Sequence, residues 1–414
     1  LIKLFEQEIV EGDFMEDWFF TEEQTMFRES LREYLAKHID QDVINHMEEK
    51  REIPRKVIKA MTDFELSCPT VSEEYGGAGF DMVTAGIVGE ELGRADPTGS
   101  TCVYYLVPCS WARLIDLYGT EEAKQELLPK MTKGELFCGI ATTEADTGSD
   151  LGNMITTIKP VKDGYVVNGA KNYISGVREA ATYGGGHVTL ARQDWEKGVR
   201  GCTLFYLPLK DTPGITISLD REMGREGIST GGFNIDNVKI PKHYLIGEEN
   251  KGFYIVHEGY EAARGIIACV CVGAGLKALE NAMEYMKQRK TFGIPLAKYE
   301  GLQFPLVEHW SKLMMCRDWA YKALRVMDQE KEGKATRFEV SKYIAMAKLW
   351  APVWAFEAID FAIQCQGAFG YSLECNEQRA LRAIRSFGWA EGTTEVMKLI
   401  VGRELLGREF IPYK

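Results

Sequence analysis

Ile155-Thr156-Thr157-Ile158 and, after the turn Lys162-Asp163-Gly164, Tyr165-Val166-Val167 are short β-branched and aromatic runs of the kind that form strands. The pattern recurs at Val188-Thr189-Leu190, Thr203-Leu204-Phe205-Tyr206 and Ile215-Thr216-Ile217. From Phe137 to about residue 250 the chain therefore reads as a compact β-barrel or sandwich. Both flanks are helical. On the N-terminal side, Thr21-Glu22-Glu23-Gln24 has the form of a capping box ahead of Phe27, Leu31, Tyr34, Leu35 and His38 on one helix face. Pro54 opens a helix carrying Val57, Ile58 and Met61, and Glu73-Glu74-Tyr75-Gly76-Gly77-Ala78-Gly79 is a glycine-rich loop. Helical patterning resumes to Leu92 and again from 99 to about 130. On the C-terminal side, long helices are expected over 253–290, 300–330, 337–367 and 392–409, an antiparallel four-helix bundle.

Strands lie between two helical blocks instead of alternating with helices. The fold class is thus mainly α with a central β domain, and a doubly wound sheet is excluded. The expected division is an arm over 1–20, an N-terminal helical domain over 21–136, a middle β domain over 137–250 and a C-terminal bundle over 251–414. The arm mixes acids with Phe5, Ile9, Val10, Phe14, Trp18, Phe19 and Phe20. One motif argues otherwise: Gly273-Ala274-Gly275-Leu276-Lys277-Ala278 matches a dinucleotide-binding fingerprint, which needs a strand before it and a helix after it. Ile266, Ile267 and Val270 run through it into Leu279, Met283 and Met286 at helical spacing, so its glycines read as sites of close helix packing.

Composition narrows the function classes. A formal net charge of -12 disfavours nucleic acid and anionic membrane surfaces as partners. Ten scattered cysteines without a paired array point to buried free thiols in a reducing compartment, and neither they nor the six histidines have metal-ligand spacing. No segment approaches the roughly 18 uncharged apolar residues of a membrane span, and the acidic start does not resemble a signal peptide. The expected location is the bacterial cytoplasm, or the mitochondrial matrix if the N-terminus is processed.

The chemistry centres on Trp389-Ala390-Glu391-Gly392-Thr393-Thr394-Glu395. Val396, Leu399, Ile400, Leu405 and Leu406 follow at helical spacing, with Thr393 or Thr394 as the cap. Alone, Glu391 reads as a helix-start carboxylate favoured by the macrodipole. Its uncharged neighbours Phe387, Gly388, Trp389 and Ala390 would raise its pKa towards the range of a general base. Other signals precede it in order: Glu73-Glu74-Tyr75-Gly76-Gly77; Thr143-Glu144 with Thr147-Gly148-Ser149-Asp150; Asn168-Gly169-Ala170-Lys171-Asn172-Tyr173-Ile174-Ser175; Met223-Gly224-Arg225; Arg289-Lys290-Thr291-Phe292-Gly293; and Gln364-Cys365-Gln366-Gly367-Ala368-Phe369-Gly370-Tyr371. With these, the chain from about Thr21 to its C-terminus closely resembles the acyl-CoA dehydrogenase flavoprotein family.

The resemblance implies an FAD enzyme, assembled as a homotetramer (a dimer of dimers). In that family a carboxylate takes the α-proton of an acyl-CoA while flavin N5 takes the β-hydride, and an electron-transfer flavoprotein is the acceptor. Carried over, Glu391 is the base. Thr143, Ser149, Tyr173 and Ser175 meet the flavin, and Arg289, Thr291 and Phe292 its pyrophosphate from a neighbouring subunit, where a guanidinium suits phosphate. Gln364, Gly367, Thr393 and Glu395 match positions around the adenosine half. Ser149, Arg264, Ala390 and Gly392 face substrate; read without the resemblance, Arg264 is a surface ion pair. Some members carry the base just before the arginine matching Arg264, but here that residue is Ala263.

Departures from the family pattern carry information. Tyr173 and Ser175 replace a Trp and a Thr, Ala145 replaces a Pro, and Ala390 replaces a Tyr beside the base. The lost ring opens volume near the substrate's α- and β-carbons, which suits an α-branched, cyclic or aryl-substituted acyl group. Glutaryl-type members use an arginine that aligns on Thr101, so a decarboxylating activity is disfavoured, although Arg113 and Arg178 remain candidates for a substrate carboxylate. The alternatives that keep the fold are an oxidase or monooxygenase using oxygen directly, and a catalytically silent assembly partner.

Overall fold

The structure, a computed structural model, describes residues 19–412; the expected arm lies almost wholly outside them. The N-terminal block contains α1 (Glu22–His38), α2 (Gln41–Lys50), α3 (Arg55–Asp63), α4 (Met82–Ala95), α5 (Ser100–Tyr118) and α6 (Glu121–Thr132). α1 begins at its capping box: Gln24 N–H donates to Thr21 Oγ1, and Thr21 N–H donates to the Gln24 side chain, both at 3.2 Å.

Seven strands follow, β1 (Phe137–Ala141), β2 (Thr157–Val161), β3 (Gly164–Ser175), β4 (Gly185–Arg192), β5 (Cys202–Pro208), β6 (Ile215–Leu219) and β7 (Thr230–Pro241), with α7 (Val177–Thr182) between β3 and β4. They form one curled sheet in the order β1-β4-β2-β3-β7-β6, with β5 also paired to β4. β2 starts at Thr157 and not at Ile155, because the Ile155 and Thr156 N–H groups donate to the Glu144 carboxylate at 2.7 and 2.9 Å and are withheld from the ladder. β7 was not anticipated: its glycines, asparagines and aspartate read as turns, yet it pairs along most of β3.

The C-terminal block contains α8 (Gly252–Gln288), the hairpin β8 (Lys290–Thr291) and β9 (Ile294–Pro295), then α9 (Glu300–Lys331), α10 (Arg337–Gln366), α11 (Asn376–Ser386) and α12 (Thr394–Leu406). α11 replaces part of the loop expected after 367; its polar residues hide a strongly amphipathic helix that buries Ala380, Ala383 and Ile384. α8 packs against α10, α9 and α4, and α12 lies along α10. The fingerprint-like glycines sit inside α8. A Cβ on Gly273 would stand 2.1 Å from the Glu90 carbonyl of α4, and one on Gly93 of α4 would stand 2.2 Å from the Val270 carbonyl. Backbone therefore meets backbone at this crossing, which glycine alone permits. One expectation fails here: α8 is long and apolar enough to cross a membrane, but nearly all of its apolar stretch is buried within the protein, as befits a core helix. All ten cysteines are free and buried.

Candidate active site

Two of the sequence motifs prove to be one structure. Lys171 of β3 is buried and donates through Nζ to the Thr142 carbonyl and to Glu144 Oε1, each at 3.0 Å. The Asn172 N–H donates to the Thr143 carbonyl at 3.1 Å. Burial drives the Lys171 pKa down to about 8 against the pull of Glu144. Glu144, through Ile155 and Thr156, closes the loop that carries Ser149. Thr143 and Ser149 are thereby fixed relative to Tyr173 and Ser175. A bulge between Lys171 and Ile174, with Tyr173 at φ +58°, turns the Tyr173 ring outward, 65% exposed.

The base turn is held by its own backbone. Glu391 has φ +56° and Gly392 φ +105°, and α12 starts immediately after them, its cap bond running from the Val396 N–H to Thr393 Oγ1 at 3.1 Å. Arg264 of α8 donates through Nε to the Glu391 carbonyl at 2.7 Å, and Lys348 of α10 donates through Nζ to the Gly392 carbonyl. Both cations are buried. Arg264 is therefore a buried brace, not a surface ion pair. Burial raises the Glu391 carboxyl to about 7; the charges of Arg264, Lys348 and Arg225 hold it from going further. Lys348, buried without a carboxylate partner among the described residues, is lowered to about 8 by desolvation and then by Arg264.

Glu391 opens on a cavity of ≈ 480 Å³ between the sheet and the C-terminal helices, lined also by Thr143, Ser149, Tyr173, Ser175, Arg264, Ala390, Gly392 and Thr393. Thus eight of the residues singled out in the sequence meet Glu391 in one chamber. The hydroxyls of Thr143, Ser149 and Ser175 make no hydrogen bond among the described residues. Thr393 also borders an adjoining groove of ≈ 430 Å³ with Glu395, Phe356, Arg385 and Trp389. Arg289, Thr291 and Phe292 lie elsewhere: Arg289 caps the far end of α8, about 37 Å from Arg264 at 1.5 Å per residue. Phe292, at φ +52°, is 95% exposed on the hairpin. Gln364 and Gly367 are exposed at the end of α10, also outside the chamber.

Neither candidate for a substrate carboxylate reaches the chamber. Arg113 is committed to Glu258 at 2.7 Å. Arg178 donates to the Arg51 and Gly227 carbonyls and to Glu179. Thr101 gives its hydroxyl to Asp96 at 2.7 Å.

Several chamber residues escaped the sequence reading. Tyr260 lies one turn before Arg264, its ring under that guanidinium at 5.3 Å and its hydroxyl 2.5 Å from Thr142 Oγ1. His257 is kept neutral, pushed down to about 4 by burial and by Arg264, Arg337 and Arg403. Glu222 and Thr230 also line the chamber, beside Arg225 of the Met223-Gly224-Arg225 motif. The i, i+3 and i, i+4 spacings of His257, Tyr260 and Arg264 place all three on one face of α8. Lys348 gave no signal, because a lysine in an apolar helix carries no hint of its carbonyl partner.

A helical domain, a curled sheet and a helical bundle, with one carboxylate at the mouth of the last helix, define a class. The chain belongs to the acyl-CoA dehydrogenase family of flavoprotein oxidoreductases, matching that family's N-terminal domain over residues 21–135, middle domain over 139–238 and C-terminal domain over 250–406. Among particular proteins, it is 30% identical over 390 residues to the 3-(aryl)acrylate reductase of Clostridium sporogenes, covering 94% of this chain and 100% of that one. It is also 30% identical over 390 residues to the caffeyl-CoA reductase-Etf complex subunit CarC of Acetobacterium woodii, covering 94% and 99%. The crystal structure of acyl-CoA dehydrogenase from Geobacillus kaustophilus superposes with a TM-score of 0.83 at 30% identity, over 94% of this chain and 99% of that one.

Proposed function

We propose that the protein is an FAD-dependent acyl-CoA dehydrogenase in which Glu391 removes the α-proton of an acyl-CoA thioester, giving the 2-enoyl-CoA. One observation carries the assignment: a carboxyl raised to about 7 stands in the chamber on a turn fixed by Arg264 and Lys348. Such a carboxylate can take a proton near neutrality and is aimed by its backbone, so little ordering remains for the reaction step. The chamber suits a flavin: Thr143, Ser149 and Ser175 bring uncommitted hydroxyls, and Tyr173 brings a ring. FAD, when bound, supplies the acceptor for the β-hydride. Thr393 and Glu395 would extend the cofactor site along the adjoining groove, and Ser149, Arg264, Ala390 and Gly392 would border the thioester.

Arg289, Thr291, Phe292, Gln364 and Gly367 would serve a neighbouring protomer's cofactor, since Arg289 stands at the opposite end of α8 from Arg264. The exposed Phe292, Tyr371 and Leu373 (95%, 90% and 77%) favour burial of these segments in a homotetramer. Ala390, where a larger side chain would fill the chamber, favours an α-branched, cyclic or aryl-substituted acyl group. The names of the two reductases add a second direction: a carboxyl near 7 can return a proton to the α-carbon as readily as take one, so the same site serves enoyl reduction. An electron-transfer flavoprotein is the proposed redox partner, supported by the Etf complex of the Acetobacterium woodii relative.

Anaerobic titration of the yellow protein with butyryl-, octanoyl-, isobutyryl-, cyclohexanecarbonyl- and 3-phenylpropanoyl-CoA tests this. The expected result is flavin bleaching by the branched, cyclic or aryl thioesters, with slow reoxidation in air. A colourless protein, or no bleaching by any thioester, refutes the dehydrogenase assignment. A straight-chain preference refutes the substrate class, and rapid reoxidation by air marks an oxidase.

A further inference from the structure

Arg225, whose charge bears on Glu391, has donors in the chamber that the chemistry above does not use. Gly224 lies so close to α11 that an added Cβ would stand 2.7 Å from the Arg382 carbonyl carbon, and the Gly227 N–H donates to Ser100 Oγ at the start of α5, at 3.0 Å. Between these anchors Arg225 sits at φ +61°, a conformation costly for a residue with a Cβ and kept only where its surroundings impose it. Arg225 is 7% exposed and lines the same chamber as Glu391. Its Nη2 donates to both oxygens of Glu222 at 3.1 and 3.0 Å, and Glu222 also accepts from Thr230 Oγ1 at 2.7 Å. Among the described residues Nε and Nη1 have no acceptor, and Nε is fully buried. Nη1, unlike Nε, keeps solvent access and is the donor a ligand can reach; once a substrate displaces its water an unpaired N–H is unfavourable, and the site discriminates for a ligand that satisfies it. Glu222 already neutralises the guanidinium, so an uncharged oxygen suits this site better than a second carboxylate.

We propose that Arg225, held by Glu222, is a subsite that reads an oxygen on the acyl group. A phenolic hydroxyl or ring ketone on the aryl or cyclic substituent accepts from the accessible, unpaired Nη1, and a plain hydrocarbon that displaces its water leaves it unsatisfied. This deepens the substrate class proposed above and rests on it.

The test compares two matched pairs on the flavin-loaded enzyme: 3-(4-hydroxyphenyl)propanoyl-CoA against 3-phenylpropanoyl-CoA, and 4-oxocyclohexanecarbonyl-CoA against cyclohexanecarbonyl-CoA. The oxygenated member of at least one pair is expected to have a kcat/KM roughly 10–100-fold higher. In Arg225→Met that ratio should fall towards unity; Arg225→Lys, which keeps a donor, should give an intermediate ratio and carries the test if the first variant does not fold. A wild-type ratio near unity in both pairs, or a ratio unchanged in Arg225→Met, overturns the subsite while leaving the substrate class intact. An Arg225→Lys protein that purifies without flavin assigns the residue to the cofactor or the fold and also overturns it. Bleaching by straight-chain thioesters alone refutes the substrate class, and the subsite with it.

Discussion

Replacing Glu391 by Gln should make the protein both slower and, above neutral pH, more stable. In the folded protein the carboxyl keeps its proton up to about 7, against 4.5 for an ordinary glutamate. Between those values the folded state binds more protons than the unfolded chain, so this residue's contribution to stability falls as pH rises through the window. Above it, the buried carboxylate costs about 2–3 kcal/mol, after allowance for water in the chamber. The glutamine amide is neutral throughout and carries no such penalty. Thermal midpoints of flavin-loaded wild-type and Glu391→Gln protein should therefore lie close together near about pH 5 and separate by about pH 8.5, the variant higher. Turnover should fall roughly 10²-fold or more, as expected on losing a general base, with flavin retained. In the wild type, acyl-CoA oxidation should rise with pH through about 7 as Glu391 ionises, and enoyl-CoA reduction should fall over the same range. A stability gap that does not change with pH would refute the buried-carboxylate account, and near-normal turnover of the variant would refute the assignment of the base.

Three further outcomes follow from named contacts. Lys171→Met leaves Glu144 buried without its partner, so it should destabilise the protein by about 3–5 kcal/mol and weaken flavin retention, readable as a lower midpoint and a reduced flavin-to-protein ratio. Gly392→Ala places a Cβ 3.0 Å from Met397 Cε and 3.3 Å from Arg264 Nη2 at φ +105°; a cost of about 1–3 kcal/mol and a shifted Glu391 should show as lost kcat with little change in flavin content. Arg289→Gln should leave the protomer folded, by circular dichroism, while lowering flavin occupancy; unchanged occupancy would rule out a cofactor role for that end of α8.

The fold was legible wherever local chemistry and burial agree. The capping box at Thr21, the β-branched runs of β3 to β6 and the long apolar α8 all declare themselves in the chain. β7 and α11 did not, because their Gly/Asn and Arg/Gln content masks strands and faces that only tertiary pairing stabilises. The chamber was legible in part. Thr143, Ser149, Tyr173, Ser175, Arg264 and Thr393 converge on Glu391 as the ordered motifs imply. The bracing was silent: Lys348, like Arg264, donates to a carbonyl, which every residue has, so no pattern of side chains announced Lys348 or the brace that Arg264 makes. Arg113 and Arg178 misled for the opposite reason, since a charged side chain suggests a ligand until its partner is seen.

The glycine contacts between α4 and α8 limit how this protein can change. Where two backbones touch, no side chain remains to be shortened or enlarged, so the crossing cannot widen by small substitutions, and the helical wall carrying His257, Tyr260 and Arg264 keeps its place. Variation in substrate range then falls to the other lining segments, among them the 387–392 turn and the loop carrying Arg225. A library for redirecting the enzyme belongs on those two segments, and substitutions along α4 or the middle of α8 would be expected to cost folding before they yield a new specificity.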